Sequence, residues 1–306
     1  MKRYISLPFI SVTTCLLLIG CGSGGLFSPT ITQTPSQTAT RTSTRTITFT
    51  PTFTSTDTPT LAPGATQVSE KDGMVMVYVP TGDFSMGFND GGTDEKPAHM
   101  VSLDAYWIDR TEVTNGMYAL CVQAGTCRPP KSLSSRTRSD YYGNSQYADY
   151  PVIQVDWNSA RTYCLWAGRR LPTEAEWEKA ARGTDGRGYP WGNTTATCSR
   201  ANYWDFFSAC VGDTSAVGSY PSGASPYGAL DMAGNVWEWV ADWYGETYYV
   251  NSPSSNPQGP VSGTYRILRG GSWYFDGARA SSTYRYRYSP DLRGDSIGFR
   301  CASSVP

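Results

Sequence analysis

The chain has 306 residues, of which 26 are acidic and 25 are basic, and its formal net charge is −1. Because a nucleic-acid-binding domain normally presents a basic face, this balance argues against a nucleic-acid partner. The single histidine, His99, excludes a two-histidine-one-carboxylate iron centre and a zinc site of the His-Glu-x-x-His kind.

The first residues are typical of a lipoprotein signal. Lys2 and Arg3 form a positive n-region, an apolar stretch follows, and residues 18–21 read Leu-Ile-Gly-Cys. We therefore predict a signal peptide over residues 1–20 and a lipidated N-terminus at Cys21, which would anchor the protein to a bacterial membrane outside the cytoplasm. The apolar stretch is shorter than the roughly 20 residues of a transmembrane helix. The alternative is an ordinary secretory signal in which the cysteine is incidental.

Residues 21–70 are rich in Thr, Ser and Pro and carry few large apolar side chains. Such a composition cannot bury enough apolar surface to offset the entropy of ordering, so we predict a disordered stalk after the lipidated cysteine. The remaining residues, 71–306, are long enough to form one domain with its own core.

Within that domain the elements are short. An apolar run from Met74 to Pro80 and the segment from Ala105 to Asp109 predict strands. A short helix is expected from Asn115 through Cys121, and a second one over residues 158–167. Thr173 and Glu176 have the spacing of a capping box, which predicts a third helix that ends near Gly183.

The composition adds a fold class to these elements. Gly and Tyr are abundant, with 31 and 21 residues, and long helical patterns are few. We therefore predict an α+β domain with short strands, few helices and long loops. Its tryptophans either fill the core or form a surface that binds sugar or peptide, and we favour the core. The set comprises Trp177, Trp191, Trp237, Trp239 and Trp243.

Six cysteines remain after Cys15 in the signal and Cys21 are set aside, and six allow 15 disulfide pairings. Spacing alone does not choose among them. An even number of cysteines in a predicted extracytoplasmic protein favours structural disulfides over free reactive thiols. The six are Cys121, Cys127, Cys164, Cys198, Cys210 and Cys301.

Several long motifs occur in a fixed order and together resemble the formylglycine-generating enzymes, the sulfatase-modifying factor family. They are Gly82-Asp83-Phe84-Ser85-Met86-Gly87, Glu112-Val113-Thr114-Asn115, the run from Ala167 to Glu178, Tyr189-Pro190-Trp191-Gly192, the run from Asp231 to Trp239, Arg269-Gly270-Gly271-Ser272-Trp273, Tyr284-Arg285-Tyr286-Arg287 and Ile297-Gly298-Phe299-Arg300-Cys301. The resemblance spans nearly all of residues 74–302 and implies the C-type-lectin-related fold of that family.

The resemblance also implies a reaction for which this chain lacks the ligands. The enzymes oxidise a substrate cysteine with copper held by two cysteines between the Gly-Gly-Ser and Tyr-Arg-Tyr-Arg motifs, and soft thiolates are what select Cu(I). Phe275 and Thr283 stand where those ligands would be, and no residue from Trp273 to Arg300 is cysteine. Copper binding is therefore not expected. Ser272 matches a position near the substrate in the enzymes, but in a Gly-Gly-Ser turn we interpret it as a turn residue.

Disulfide pairing follows from the same resemblance. In the family, a cysteine in the helix before the Leu-Pro-Thr-Glu block pairs with the cysteine of the Gly-Phe-Arg-Cys motif, which maps onto Cys164 and Cys301. Cys121 would then pair with Cys127, and Cys198 with Cys210.

Calcium is the cofactor that the resemblance implies. One family site takes side-chain oxygens and carbonyls at positions that match Asp231, Gly234, Val236 and Glu238, and oxygen ligands suit this cation. The alternative makes Asp231 a turn former and Glu238 the partner of an arginine. A second family site would use Asn202, Tyr203 and Asp213, but the loop from Asp213 to Val217 is shorter than in the enzymes.

Two functions are consistent with these residues. The favoured one is a non-catalytic module, braced by disulfides and calcium, that binds a protein, peptide or glycan at the cell surface. The alternative is an oxidase of the formylglycine-generating type that uses a variant active site.

Overall fold

The computed structural model describes residues 61–205 and 208–305. The predicted signal peptide, Cys21 and most of the predicted stalk lie outside these residues. Where the chain is described, no helix has the length and the apolar character needed to cross a membrane.

The described residues form twelve short strands and three short α-helices, together with five 3-10 turns. The strands are β1 (Thr66–Val68), β2 (Val75–Val79), β3 (Gly82–Met86), β4 (His99–Leu103), β5 (Tyr106–Asp109), β6 (Trp204–Asp205), β7 (Ser208–Ala209), β8 (Trp237–Trp243), β9 (Arg266–Arg269), β10 (Tyr286–Tyr288), β11 (Ile297–Phe299) and β12 (Ala302–Ser304). The helices are α1 (Asn115–Gln123), α2 (Trp157–Trp166) and α3 (Glu174–Arg182). The prediction of an α+β domain with short strands and few helices is confirmed.

Two four-stranded sheets organise the domain. The first has the order β1-β2-β5-β12, so the last strand of the chain pairs with an early one, and the second has the order β10-β9-β8-β11. In the second sheet β11 runs parallel to β8, and β10 forms an outer edge. The hairpins β3-β4 and β6-β7 complete the strands.

Strand β1 corrects the predicted start of the folded domain. Thr66–Val68 lies within the residues predicted as stalk, and it pairs antiparallel with β2 from Thr66 opposite Val77 to Val68 opposite Val75. Its side chains are exposed, so only backbone pairing holds it in the sheet. Composition does not record such pairing, so the sequence of this polar segment predicts a stalk and not a strand.

The predicted strands and helices otherwise agree with the structure. At the start of α3, the Thr173 hydroxyl accepts a hydrogen bond from the Glu176 amide at 3.1 Å, and the Glu176 carboxylate accepts one from the Thr173 amide at 2.8 Å. The helix ends at Gly183, whose φ of 68° favours glycine. A Cβ at this position would also lie 2.8 Å from Cγ of Pro226.

The aromatic core and three disulfides hold the sheets and helices together. Trp177, Trp237 and Trp239 are buried, which agrees with the core interpretation, whereas Trp191 and Trp243 are only partly buried. The disulfides join Cys121 to Cys127, Cys164 to Cys301 and Cys198 to Cys210, as the family resemblance implies. Three disulfides indicate an oxidising compartment outside the cytoplasm.

Candidate functional site

Aromatic side chains occupy the region where the family resemblance places the two copper ligands. The Phe275 ring lies 5.5 Å from the Trp237 ring, and Tyr286 stacks on the same indole at 5.0 Å between centroids. Thr283 is buried, and its carbonyl oxygen accepts a hydrogen bond from Nη1 of Arg269 at 2.8 Å. Every cysteine in the described part of the chain forms a disulfide, so no thiolate is available there for Cu(I).

Ser272 lies in a tight turn beside these rings. The turn follows Gly270 and Gly271, which have φ values of 92° and 76°, and the Ser272 carbonyl accepts a hydrogen bond from the Phe275 amide at 3.1 Å. A Cβ at Gly271 would come within 2.9 Å of the Cα of Ala280, so the chain needs glycine here. The Ser272 side chain is buried, and the structure places it within the turn.

An open groove of about 670 Å³ lies next to the aromatic cluster. One wall is the loop of residues 92–95, and the other is residues 284–288, which include the edge strand β10. Tyr265 and Tyr288 are 44% and 40% exposed, so their rings are accessible to a ligand. We call this feature the tyrosine groove.

A buried arginine connects the two walls of the tyrosine groove. The Arg285 guanidinium donates from Nε and Nη2 to the Glu174 carboxylate at 2.7 and 2.9 Å, and from Nη1 to the Asp94 carbonyl at 2.7 Å. Although burial opposes it, the Glu174 carboxylate raises the pKa of Arg285, so the guanidinium stays charged. The groove is therefore formed before a ligand arrives, which lowers the entropic cost of binding.

A second, more apolar cavity of about 370 Å³ adjoins the tyrosine groove. Glu95 and Tyr284 line both spaces, so they separate the cavity from the groove. Phe88 and Tyr189 contribute to its apolar lining.

The first predicted calcium site is altered by an arginine. Glu238 is fully buried, and its carboxylate accepts hydrogen bonds from Nε of Arg300 at 2.6 Å, from Nη2 of Arg300 at 2.7 Å and from the Trp177 indole at 2.7 Å. Arg300 thus neutralises one of the two predicted carboxylate ligands. Glu238 thus has the arginine partner that the alternative interpretation gives it, and calcium binding by Asp231, Gly234, Val236 and Glu238 stays a prediction.

Asp231 instead lies beside Glu112, a carboxyl that the sequence analysis did not single out. Asp231 has a φ of 56° and accepts a hydrogen bond from the Gly218 amide at 2.6 Å, as a turn former does. Burial raises the pKa of Glu112 well above its ordinary value, and the Asp231 and Glu238 carboxylates raise it further. Burial also raises the pKa of Asp231.

At the second predicted calcium site, Asp213 has hydrogen-bond partners within the protein. The Asp213 carboxylate accepts hydrogen bonds from the Ser135 hydroxyl at 2.6 Å and from the Thr137 amide at 2.9 Å, and Nη1 of Arg138 lies 3.2 Å away. The Tyr203 carbonyl oxygen accepts a hydrogen bond from the Cys210 amide at 3.0 Å. Asn202 donates its side-chain amide to the Asp213 carbonyl, whereas its Oδ1 is buried without a hydrogen-bond partner in the described part of the chain.

Chelation tests the calcium prediction directly. Because Arg300 neutralises Glu238 and loop 135–138 occupies Asp213, we expect EDTA to leave the melting temperature unchanged, and added calcium to have no effect. The measurement is a thermal melt by circular dichroism with EDTA and with calcium. A melting temperature that falls reversibly with EDTA in the wild type, but not in Asp231→Ala, would confirm the predicted site.

Comparison with known proteins places these features in a family. A family model described as "Sulfatase-modifying factor enzyme 1-like domain" matches residues 62–305. The formylglycine-generating enzyme of Streptomyces coelicolor is 36% identical over 288 residues, which cover 75% of this chain and 89% of that protein. The inactive C-alpha-formylglycine-generating enzyme 2 of Mus musculus is 33% identical and covers 78% of this chain and 89% of that protein.

A third relative is much longer than the matched region. The serine/threonine-protein kinase pkn1 of Chlamydia pneumoniae is 39% identical over 243 residues, which cover 75% of this chain. The chain spans only 38% of that kinase's length. Among solved structures, PvdO from Pseudomonas aeruginosa matches with a TM-score of 0.69 and 29% identity, over 80% of this chain and all of that chain.

Proposed function

The chain belongs to the sulfatase-modifying factor enzyme 1-like family and has its C-type-lectin-related α+β fold, and we propose that it is a non-catalytic binding member of that family. In this proposal the domain binds a protein, peptide or glycan outside the cytoplasm. The tyrosine groove is the site that receives the ligand.

The observation that carries the proposal is that a phenyl ring and a hydroxyl group stand where the resemblance places the two thiols. Phe275 stands at one implied copper position and packs against Trp237 and Tyr286. Thr283 stands at the other and is buried. Hydroxyl and phenyl groups do not bind Cu(I). Phe275 and Thr283 therefore favour a structural role for this segment over copper-dependent oxidation. The mouse relative whose name calls it inactive supports the view that this family includes members without the reaction.

The tyrosine groove supports a binding role on its own grounds. Its volume of about 670 Å³ lies within the range of roughly 300–1,000 Å³ that is typical of ligand sites. Tyrosine rings offer an apolar face and a hydroxyl, which suit both sugar rings and peptide side chains. Its walls also carry two acidic residues, Asp94 and Glu95, and two basic ones, Arg285 and Arg287.

Substitutions in the tyrosine groove test this function. The full chain is screened against a peptide library and a glycan array, and affinity for the strongest binder is measured by calorimetry. We expect Tyr265→Ala and Tyr288→Ala each to weaken binding about tenfold, because exposed aromatic anchors carry much of the binding energy at such sites. Both variants should keep the wild-type melting temperature.

The matched control is Tyr274→Ala, since Tyr274 is 54% exposed but does not line the groove. This variant should bind as the wild type does. The proposal is wrong if neither library yields a binder, or if the binder is insensitive to both groove substitutions.

We also propose that a lipid anchor and the Thr/Ser/Pro-rich segment hold the domain at a membrane surface. The support is the Leu-Ile-Gly-Cys sequence that ends at Cys21. In the native host, the wild-type protein should partition into the detergent phase and Cys21→Ser into the aqueous phase. Equal partitioning of both forms would favour an ordinary secretory signal.

A further inference from the structure

The three disulfides differ in their exposure to solvent. Cys121, Cys164 and Cys301 are completely buried, and Cys127 is 7% exposed. Cys198 is exposed, and its partner Cys210 is partly buried. A thiol reagent can therefore reach the Cys198–Cys210 disulfide in the folded protein, whereas the other two need local or global unfolding.

The exposed disulfide closes the loop that carries the hairpin β6-β7. The two cysteines are 12 residues apart, and the Cys210 amide donates to the Tyr203 carbonyl at 3.0 Å. On its other side the hairpin reaches the aromatic cluster, because the Trp204 amide donates to the Phe275 carbonyl at 2.9 Å. The Trp204 ring, 41% exposed, lies 6.3 Å from the Tyr274 ring.

We propose that Cys198–Cys210 is a thiol–disulfide exchange site for an extracytoplasmic dithiol protein, and that this bond clamps the hairpin against the aromatic cluster at Phe275. The position of the disulfide supports both parts. Exposed disulfides are the ones that exchange readily, and buried ones resist reduction. The inference does not depend on the ligand of the tyrosine groove.

The exchange proceeds in two balanced steps. A thiolate of the partner dithiol attacks Sγ of Cys198, which forms a mixed disulfide and releases Cys210 as a thiolate that takes up a proton. The second partner thiolate then attacks the partner sulfur of the mixed disulfide, which releases Cys198 as a thiolate that is protonated in turn. Two electrons pass from the dithiol to the cystine, and the partner becomes a disulfide. The reverse reaction with an oxidised partner restores the clamp.

The test is differential reduction of the native full chain. The protein is incubated with increasing dithiothreitol without denaturant, trapped with N-ethylmaleimide and mapped by peptide mass spectrometry. We expect Cys198 and Cys210 to be labelled at an about tenfold lower dithiothreitol concentration than the other four cysteines, because those are buried. Simultaneous labelling of all three pairs, or earlier labelling of Cys121 and Cys127, overturns the exchange site.

Tryptophan fluorescence tests the clamp separately. Reduction of this one bond should change the emission of the wild type, because Trp204 loses its fixed position beside Tyr274. The matched control is Trp204→Phe, in which selective reduction should leave the emission unchanged. If labelling is selective but wild-type emission does not change, the disulfide exchanges without clamping the hairpin and that part of the proposal is wrong. The double variant Cys198→Ser/Cys210→Ser should fold and take no label under the selective condition.

Discussion

Arg300→Met is expected to lower the free energy of unfolding by roughly 3–5 kcal/mol, the cost of leaving a buried charge without its partner. Arg300 is completely buried and forms an ion pair with Glu238, in which Nε and Oε2 are 2.6 Å apart. Its remaining donors bind the carbonyl oxygens of Asp109 and Leu230 at 3.0 and 2.9 Å. Methionine fills similar volume but leaves Glu238 with only the Trp177 indole as a donor.

Two variants separate the buried charge from general damage. Glu238→Gln combined with Arg300→Met removes both charges and should be less destabilised than the sum of the two single changes, since neither partner is then left ionised in the interior. Arg187→Met breaks a surface pair with Asp185 and should cost about 0–1 kcal/mol. Urea unfolding measures the change in the free energy of unfolding for Arg300→Met, Glu238→Gln, the double variant and Arg187→Met. A cost for Arg300→Met no greater than that for Arg187→Met would contradict the buried ion pair.

Local features of the fold could be predicted because their causes lie within a few residues. The capping box needs only Thr173 and Glu176, and both hydrogen bonds are present. The strand Val75–Val79 follows from a run of apolar residues with a proline after it. The boundary of the stalk was harder to predict, because β1 is held by pairing with β2 and not by its own side chains.

The candidate site depends on contacts between distant segments, which explains what the sequence did not reveal. Arg285 and Glu174 are 111 residues apart, and Arg300 and Glu238 are 62 apart. The tyrosine groove combines residues 92–95 with residues 284–288, and Asp213 binds Thr137 across 76 residues. One signal was present: an arginine that is buried within an aromatic motif, as Arg285 is in Tyr-Arg-Tyr-Arg, needs an acidic partner, since a lone buried charge is costly.

The arginine pairs also explain how the closing motifs hold the fold together without a metal. Arg269 binds Glu178, Arg285 binds Glu174 and Arg300 binds Glu238, and all six side chains are buried. These pairs join α3 and β8 to the last motifs of the chain. None of them requires a metal or a thiol, so the closing motifs retain a structural role after the copper ligands are replaced.

No aldehyde is expected when the full chain is incubated with copper, reductant, oxygen and a Cys-x-Pro-x-Arg peptide. The reaction needs two thiolates at Cu(I), and the corresponding segment offers Phe275 and Thr283. Mass spectrometry of the peptide measures the conversion, and the Streptomyces coelicolor relative, assayed in parallel, is the positive control. The peptide cysteine should remain unmodified with this chain under conditions in which the control converts it.

The opposite result would identify the thiols responsible, because the chain has few of them. The disulfides Cys121–Cys127 and Cys164–Cys301 are buried, so a thiol-dependent oxidation by the folded domain would have to use the exposed pair Cys198–Cys210. Aldehyde formation that is lost in Cys198→Ser/Cys210→Ser would therefore establish a variant oxidase and overturn the non-catalytic proposal. Aldehyde formation that persists in this variant would also overturn it, and would require a copper site built without cysteine from the described domain.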